Sequence, residues 1–291
     1  MESQITRFCS YCGSPVQMVT AGGSVCPMCR SPIGSSPPSW SGPEPASAGT
    51  PPPWSLGTAL ALLAFFMLTM ITLPPFMIGI WAQTKGLSLT LENMEELMNN
   101  PQAALIGVIG VGVVHVLTML MAWTVVTGWR RRFTEVIAWS WHPRFRFRQA
   151  LLTVILVYGS SFLLQMFLPS GATEFEELIK TSAAVRLGVA FLAVATAPFV
   201  EELVYRGVLY PSLEARLGRV PAIVGISALF ALVHFPQYAG SLLVLVSLTL
   251  LSLVLTAVRA YTGRLLPCFV IHFVYNLVGA TLILLDGRLA S

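Results

Sequence analysis

From residue 54 onward the sequence is a succession of seven apolar runs, at about 54–81, 103–127, 149–168, 184–210, 221–235, 240–258 and 265–285. A helix needs roughly 20 consecutive apolar residues to cross the hydrocarbon core of a bilayer. Inside that core every backbone N–H and C=O must find its partner within the protein, so runs of this length fold as helices. The expected fold is therefore an all-α integral membrane protein of about seven transmembrane helices, with six to eight the range. The uncertainty lies in the fifth run, which is short and bounded by Pro221 and Pro236. Composition points the same way: of 291 residues 55% are hydrophobic and only 10% are charged, against about 25% charged in a soluble domain. The first 50 residues contain no apolar run, so no secretory signal is expected there. Gly107, Gly110 and Gly112 in the second run predict close approach of a neighbouring helix.

Ahead of the apolar runs lie four cysteines, Cys9, Cys12, Cys26 and Cys29, spaced Cys-x2-Cys-x13-Cys-x2-Cys. Two tight turns of this kind offer four thiolates to one tetrahedral ion. The spacing predicts a small four-cysteine zinc ribbon over residues 1–34 with a structural zinc ion, and two disulfides are the alternative it leaves open. A segment of this size has too little core to fold alone, so the metal would supply its folding energy. Reduced thiols imply a cytosolic N-terminus. Residues 35–53, rich in Pro, Ser and Gly, read as a linker, and 54–291 as a polytopic membrane domain. Cys268, alone in an apolar stretch, is expected to be a small buried hydrophobe.

Charge gives an independent orientation. With the N-terminus cytosolic, the cytosolic loops are 128–148, 211–220 and 259–264. They carry Arg130, Arg131, Arg132, Arg144, Arg146, Arg148, Arg216, Arg219, Arg259 and Arg264, whereas the opposite loops are mainly acidic. That is the positive-inside pattern. It accounts for most of the net charge of +4 and leaves no basic patch for a nucleic-acid partner. The strip Arg144-Phe145-Arg146-Phe147-Arg148 reads as an ordinary cytosolic loop, with an interfacial lipid-binding strip as the alternative. The expected location is an integral membrane position, the plasma membrane if the source is prokaryotic, with lipid bilayer as the main partner.

Polar residues inside apolar helices are costly and usually functional. Here they form three groups: Glu201, Glu202 and Arg206 in the fourth run; His234, four residues after Phe230, at the end of the fifth; and His272 and Asn276 in the seventh. Glu202 and Arg206 stand at i, i+4 with the acid nearer the N-terminus, the favourable orientation for an ion pair. Adjacent Glu201 points about 100° away and is left to face a cavity. Pro198 lacks an N–H, so it should break the helix beside these carboxylates. His272 and Asn276 share one helix face. At 1.5 Å per residue, all four of Glu201, His234, His272 and Asn276 lie roughly 10 to 20 Å below the cytosolic helix ends. His115, isolated in the second run, is expected to be hydrogen-bonded packing, and His142 lies in the basic loop.

At these residues the chain resembles the CAAX prenyl protease 2 (Rce1-like, CPBP) family of intramembrane proteases. That family is marked by Glu-Glu-x-x-x-Arg, Phe-x-x-x-His and His-x-x-x-Asn or Asp, filled here by Glu201, Glu202 and Arg206, by Phe230 and His234, and by His272 and Asn276. The resemblance covers about residues 184–285; the zinc ribbon departs from the family pattern and hints at a protein partner. It implies an endopeptidase hydrolysing peptide bonds of membrane-associated proteins or peptides, prenylated CAAX proteins among them. It also implies that Glu201, helped by His234, deprotonates water, that His272 and Asn276 donate to the oxyanion, and that Glu202 and Arg206 orient the base. A catalytic metal held by Glu201, His234 and His272 is the alternative, disfavoured because Asn276 is a poor zinc ligand and His-Glu-x-x-His is absent. A second class of function also fits the chain: a non-catalytic membrane scaffold that recruits partners through the ribbon.

Overall fold

The structure, a computed structural model, describes residues 52–87, 90, 97 and 99–285, together with the short strands at 7–8 and 15–16. The four ribbon cysteines, Cys9, Cys12, Cys26 and Cys29, and the linker as far as residue 51 lie outside the described residues. The chain divides into two units, Met1–Ser47 and Ala48–Ser291. In the first, β1 (Arg7–Phe8) pairs antiparallel with β2 (Pro15–Val16), Arg7 opposite Val16.

The second unit is all-helical in its described residues. It contains α1 (Leu56–Thr84), α2 (Pro101–Thr127), α3 (Phe133–Val136), α4 (Phe147–Leu164), α5 (Glu174–Lys180) and α6 (Ala183–Ala195). Then follow α7 (Ala197–Leu217), α8 (Arg219–Tyr238), α9 (Leu242–Thr262) and α10 (Leu265–Leu285). Among the described residues six helices, α1, α2, α4, α8, α9 and α10, are long and apolar enough to cross a membrane. The α6–α7 pair, bent by 40°, makes a seventh if it is one span. This is an integral membrane protein.

Local chemistry sets the helix ends. Ser55, Asn100, Thr173, Ser182 and Ser241 are N-caps whose side chains accept backbone N–H groups of the first turn. Gly128 and Gly263 end α2 and α9 in the left-handed region, where a Cβ would be strained. The spans outrun the apolar stretches that announced them. Helix α7 continues to Leu217, and only Gly218, at φ 83°, separates it from α8. Helix α9 runs to Thr262, so the expected loop 259–264 shrinks to two residues. Pro236 falls inside α8 instead of bounding it. Backbone pairing does not stop where apolar side chains stop, because an interfacial turn still gains its own hydrogen bonds.

Helix α2 is the early organiser. A Cβ on Gly110 would come within 2.8 Å of Pro74 Cα, and one on Gly107 within 3.2 Å of Ile78, so both glycines admit α1. On another face Gly112 meets Leu192, and Val108 meets Gly188. Residues 108 and 112 thus advance together with 188 and 192, so α2 and α6 run in the same direction. That is what a single intervening span, α4, requires. The main core joins α1, α2, α7 and α8 through Leu62, Phe66, Val126, Leu203, Tyr205, Leu209, Ile226 and Phe230. Cys268 is fully buried in a second cluster with Val154, Leu251 and Leu255, in the role expected of it.

Candidate active site

The site begins at the break between α6 and α7. Pro198 cannot donate a backbone N–H, so the helix cannot run through it unaltered. The carbonyls at the end of α6 take side-chain partners. Leu192 O keeps its regular helical partner, the N–H of Thr196 at 3.2 Å, and also meets the Thr196 hydroxyl at 3.2 Å. Ala193 O receives Asn276 Nδ2 at 2.8 Å from α10. The Thr196 hydroxyl also meets His115 Nδ1 of α2 at 2.7 Å. The chain then restarts as α7 with Pro198 in its first turn, where a missing N–H is harmless. Glu201 and Glu202 stand in the turn that follows.

From Glu202 to Leu209 the helix is π-wound, with the Tyr210 N–H reaching back to Tyr205 O. Pro211 cannot make the next such bond, which would end on Arg206 O. Arg259 Nε of α9 donates to that carbonyl at 3.0 Å. Farther along, Val208 O takes Trp54 Nε1 at 3.1 Å and the Ser212 hydroxyl at 3.1 Å. Wide winding followed by Pro211 leaves the Arg206 carbonyl without its backbone donor, and a side chain from α9 satisfies it.

This winding carries a fully buried ion pair. Glu202 and Arg206 are each 0% exposed, with Arg206 Nη1 2.9 Å from Glu202 Oε1, the pairing their spacing predicts. Burying two charges is costly unless their remaining hydrogen-bonding capacity is met; the guanidinium's largely is, whereas Glu202 Oε2 has no hydrogen-bond partner among the described residues. Arg206 Nε donates to Thr256 Oγ1 at 3.2 Å, and Nη2 to Ser252 Oγ at 2.6 Å and Ser252 O at 3.1 Å. The guanidinium also lies 4.9 Å from the centre of the Phe230 ring. Ser252, Thr256 and Arg259 were not singled out in the sequence as site residues. Ser252 and Thr256 share an i, i+4 face of an apolar helix, and that polar stripe was the available signal.

His272 joins the two glutamates. Its Nδ1 donates to Glu202 Oε1 at 2.9 Å, and its Nε2 faces Glu201 Oε2 at 3.8 Å. The second distance is too long for a hydrogen bond. The Glu201 side chain keeps 16% of its surface exposed, unlike Glu202, and so remains the accessible carboxylate. On α8, His234 Nδ1 donates to Phe230 O at 2.7 Å, which in the neutral ring leaves Nε2 as an acceptor. The Phe230 ring lies 4.4 Å from that of His234 and 6.2 Å from that of His272, so it packs between the two histidines. Asn276 is oriented differently from His272 although they share a helix face: one of its N–H groups is committed to the α6 backbone. Among the described residues no group of three or more His, Cys, Asp or Glu is gathered closely enough to cage a metal ion.

Residues 183–278 match a family model, the Rce1-like type II CAAX prenyl endopeptidases. The matched stretch is about a third of the chain, begins with α6, ends within α10 and includes every polar residue from Glu201 to Asn276. It supports a membrane protease function for this part of the chain. No curated protein and no solved structure matched this sequence. His115, on α2, lies outside the matched stretch.

Proposed function

We propose that this chain is an intramembrane endopeptidase in which Glu201 activates water. The observation that carries the reading is the division of labour between adjacent carboxylates. Glu202 is sealed and neutralised by Arg206 and His272, whereas Glu201 stays partly open beside the other nitrogen of the same imidazole.

In this reading Glu201 takes a proton from water, and the resulting hydroxide oxygen bonds to the scissile carbonyl carbon. The electron pair of the C=O bond moves to oxygen. His272 donates to that oxyanion from Nε2 when its ring is protonated, and Asn276 donates with the N–H not held by Ala193 O. Such donors are often worth about 3 kcal/mol each in the transition state. Glu201 then returns the proton to the departing amide nitrogen as the C–N bond breaks. His234, its Nε2 free to accept, orients the attacking water, and Arg206 holds Glu202 so that His272 keeps one tautomer and one orientation. The substrates are membrane-associated peptides or proteins, with prenylated CAAX-type proteins the class that the family description names. The N-terminus is cytosolic, and Cys9, Cys12, Cys26 and Cys29 hold a structural zinc ion that serves a partner contact.

The test is cleavage of a quenched fluorescent peptide library by the purified full chain. Glu201→Ala is expected to lower kcat by about 10²- to 10⁴-fold, the usual contribution of a general base, while the protein remains folded. Cleavage that survives a strong zinc chelator supports the metal-free reaction. Chelator-sensitive cleavage that persists in a Cys9→Ser/Cys12→Ser variant assigns the lost metal to the membrane site. A wild type that cleaves nothing removes the peptidase reading and favours the scaffold.

A further inference from the structure

Three partly buried polar contacts meet at the break between α6 and α7, and only the one from Asn276 belongs to the sequence motifs. The second is made by Thr196, the residue at the break itself, whose hydroxyl meets Leu192 O at 3.2 Å. His115 Nδ1 meets the same hydroxyl across 2.7 Å, as donor when the hydroxyl gives its one hydrogen to Leu192 O and as acceptor in the other tautomer. His115 is 3% exposed. It continues the stripe on α2 along which Val108 meets Gly188 and Gly112 meets Leu192. The break is thus gripped from two sides, by α10 through Asn276 and by α2 through His115.

Glu201 stands five residues beyond Thr196, and the N–H of Val200 bonds to Thr196 O at 3.0 Å. The direction in which α7 leaves the break therefore sets where the Glu201 carboxylate points. We infer that His115 is a positioning residue: through Thr196 it fixes the bend between α6 and α7 and so places Glu201 against His272 Nε2. The inference rests on the peptidase reading above for its activity readout, but its geometry can be tested without that reading. Unlike His234 and His272, His115 needs no contact with substrate to matter. A misplacement of a reacting group by about 1 Å can reduce rates up to a hundredfold.

The experiment compares His115→Phe, His115→Asn, Thr196→Val, Thr196→Ser and the His115→Phe/Thr196→Val double variant in the full chain. The amide nitrogen of asparagine takes nearly the place of Nδ1, and serine keeps the hydroxyl. Expected are a loss of about tenfold in kcat for His115→Phe and for Thr196→Val with KM within about twofold, a double variant no worse than either, and recovery in His115→Asn and Thr196→Ser. The second readout is nitrogen-15 NMR of the four histidines. The Nε2 signal of His272, which faces Glu201, should shift in His115→Phe and Thr196→Val and return in the two conservative variants. Thermal melting identifies any variant that fails to fold, and if His115→Phe does, the near-isosteric Thr196→Val carries the test.

An unchanged kcat together with an unmoved His272 signal overturns the inference, as do effects of the two single variants that multiply in the double. If the wild type cleaves no peptide but the His272 signal responds as described, the peptidase reading falls and the positioning of Glu201 stands.

Discussion

From Glu202 to Tyr210 nine consecutive residues are buried, whereas in α6, the 13 residues before the break, only Val185 is. The first stretch carries a carboxylate and a guanidinium into the core, where the guanidinium bonds to Glu202, Thr256 and Ser252 while Glu202 is held through Oε1 alone. The second, Arg186 apart, is a strip of aliphatic and aromatic residues and glycine with an apolar groove on each side. One groove, about 450 Å³, runs against α2 between Val108, Gly112 and Leu192. The other, about 270 Å³, runs against α10 between Ala190, Leu277 and Ala280. The two halves of one span thus have opposite construction: α7 is fixed by polar bonds that reach it from α9, α10 and Trp54, and α6 by apolar contacts along α2 through Val185, Gly188 and Leu192. Local stability should follow that difference, because regions with few buried contacts open most readily. In the proposed peptidase, which has to admit a peptide from the bilayer, the arrangement would put rigidity at the charged residues and looseness in the wall beside them.

The most damaging single change on the α7 side should be Arg206→Leu. It removes the only permanent cation bonded to Glu202 among the described residues and leaves a carboxylate in the core, at a cost of about 3–5 kcal/mol. Thermal unfolding in detergent measures it, and a melting point like that of wild type would show that the ion pair is not what fixes α7. A smaller effect, about 1–3 kcal/mol, is expected for Arg259→Met, which keeps the apolar stem but strands the Arg206 carbonyl. Adding Pro211→Ala should recover part of that loss, since residue 211 then has an N–H for the same carbonyl. No recovery would mean that Arg259 acts by some route other than this bond. At the low end, Phe191→Ala in α6 should change stability by no more than about 0.5 kcal/mol, as its side chain is 63% exposed beside the grooves. A loss there as large as that of Arg259→Met would abolish the contrast between the two halves.

Much of this was legible along the chain. Seven apolar runs correspond to six long helices and one bent pair, and Glu202 reaches Arg206 as i, i+4 spacing requires. Pro198 announced a break, and His115 was hydrogen-bonded as expected. The shared face of His272 and Asn276 was legible too, but not its outcome. One side chain turns to Glu202 and the other to the end of α6, because their helix passes both elements at different heights. The π-winding was not legible, since Glu-Leu-Val-Tyr-Arg-Gly-Val-Leu has no residue that demands it.

What the sequence determined alone were quantities local to a few turns of helix: hydropathy, the caps, the breaker at Pro198, the distance between residues four apart. What only the tertiary structure decided is where stranded polar groups find their partners. Arg206 is completed by Ser252 and Thr256, Arg206 O by Arg259, Ala193 O by Asn276, and Val208 O by Trp54, across separations of 46 to 154 residues. In a medium that supplies no hydrogen bonds each of those groups must be satisfied by the protein itself. The packing of whole helices, which no short window of sequence contains, selects the partner.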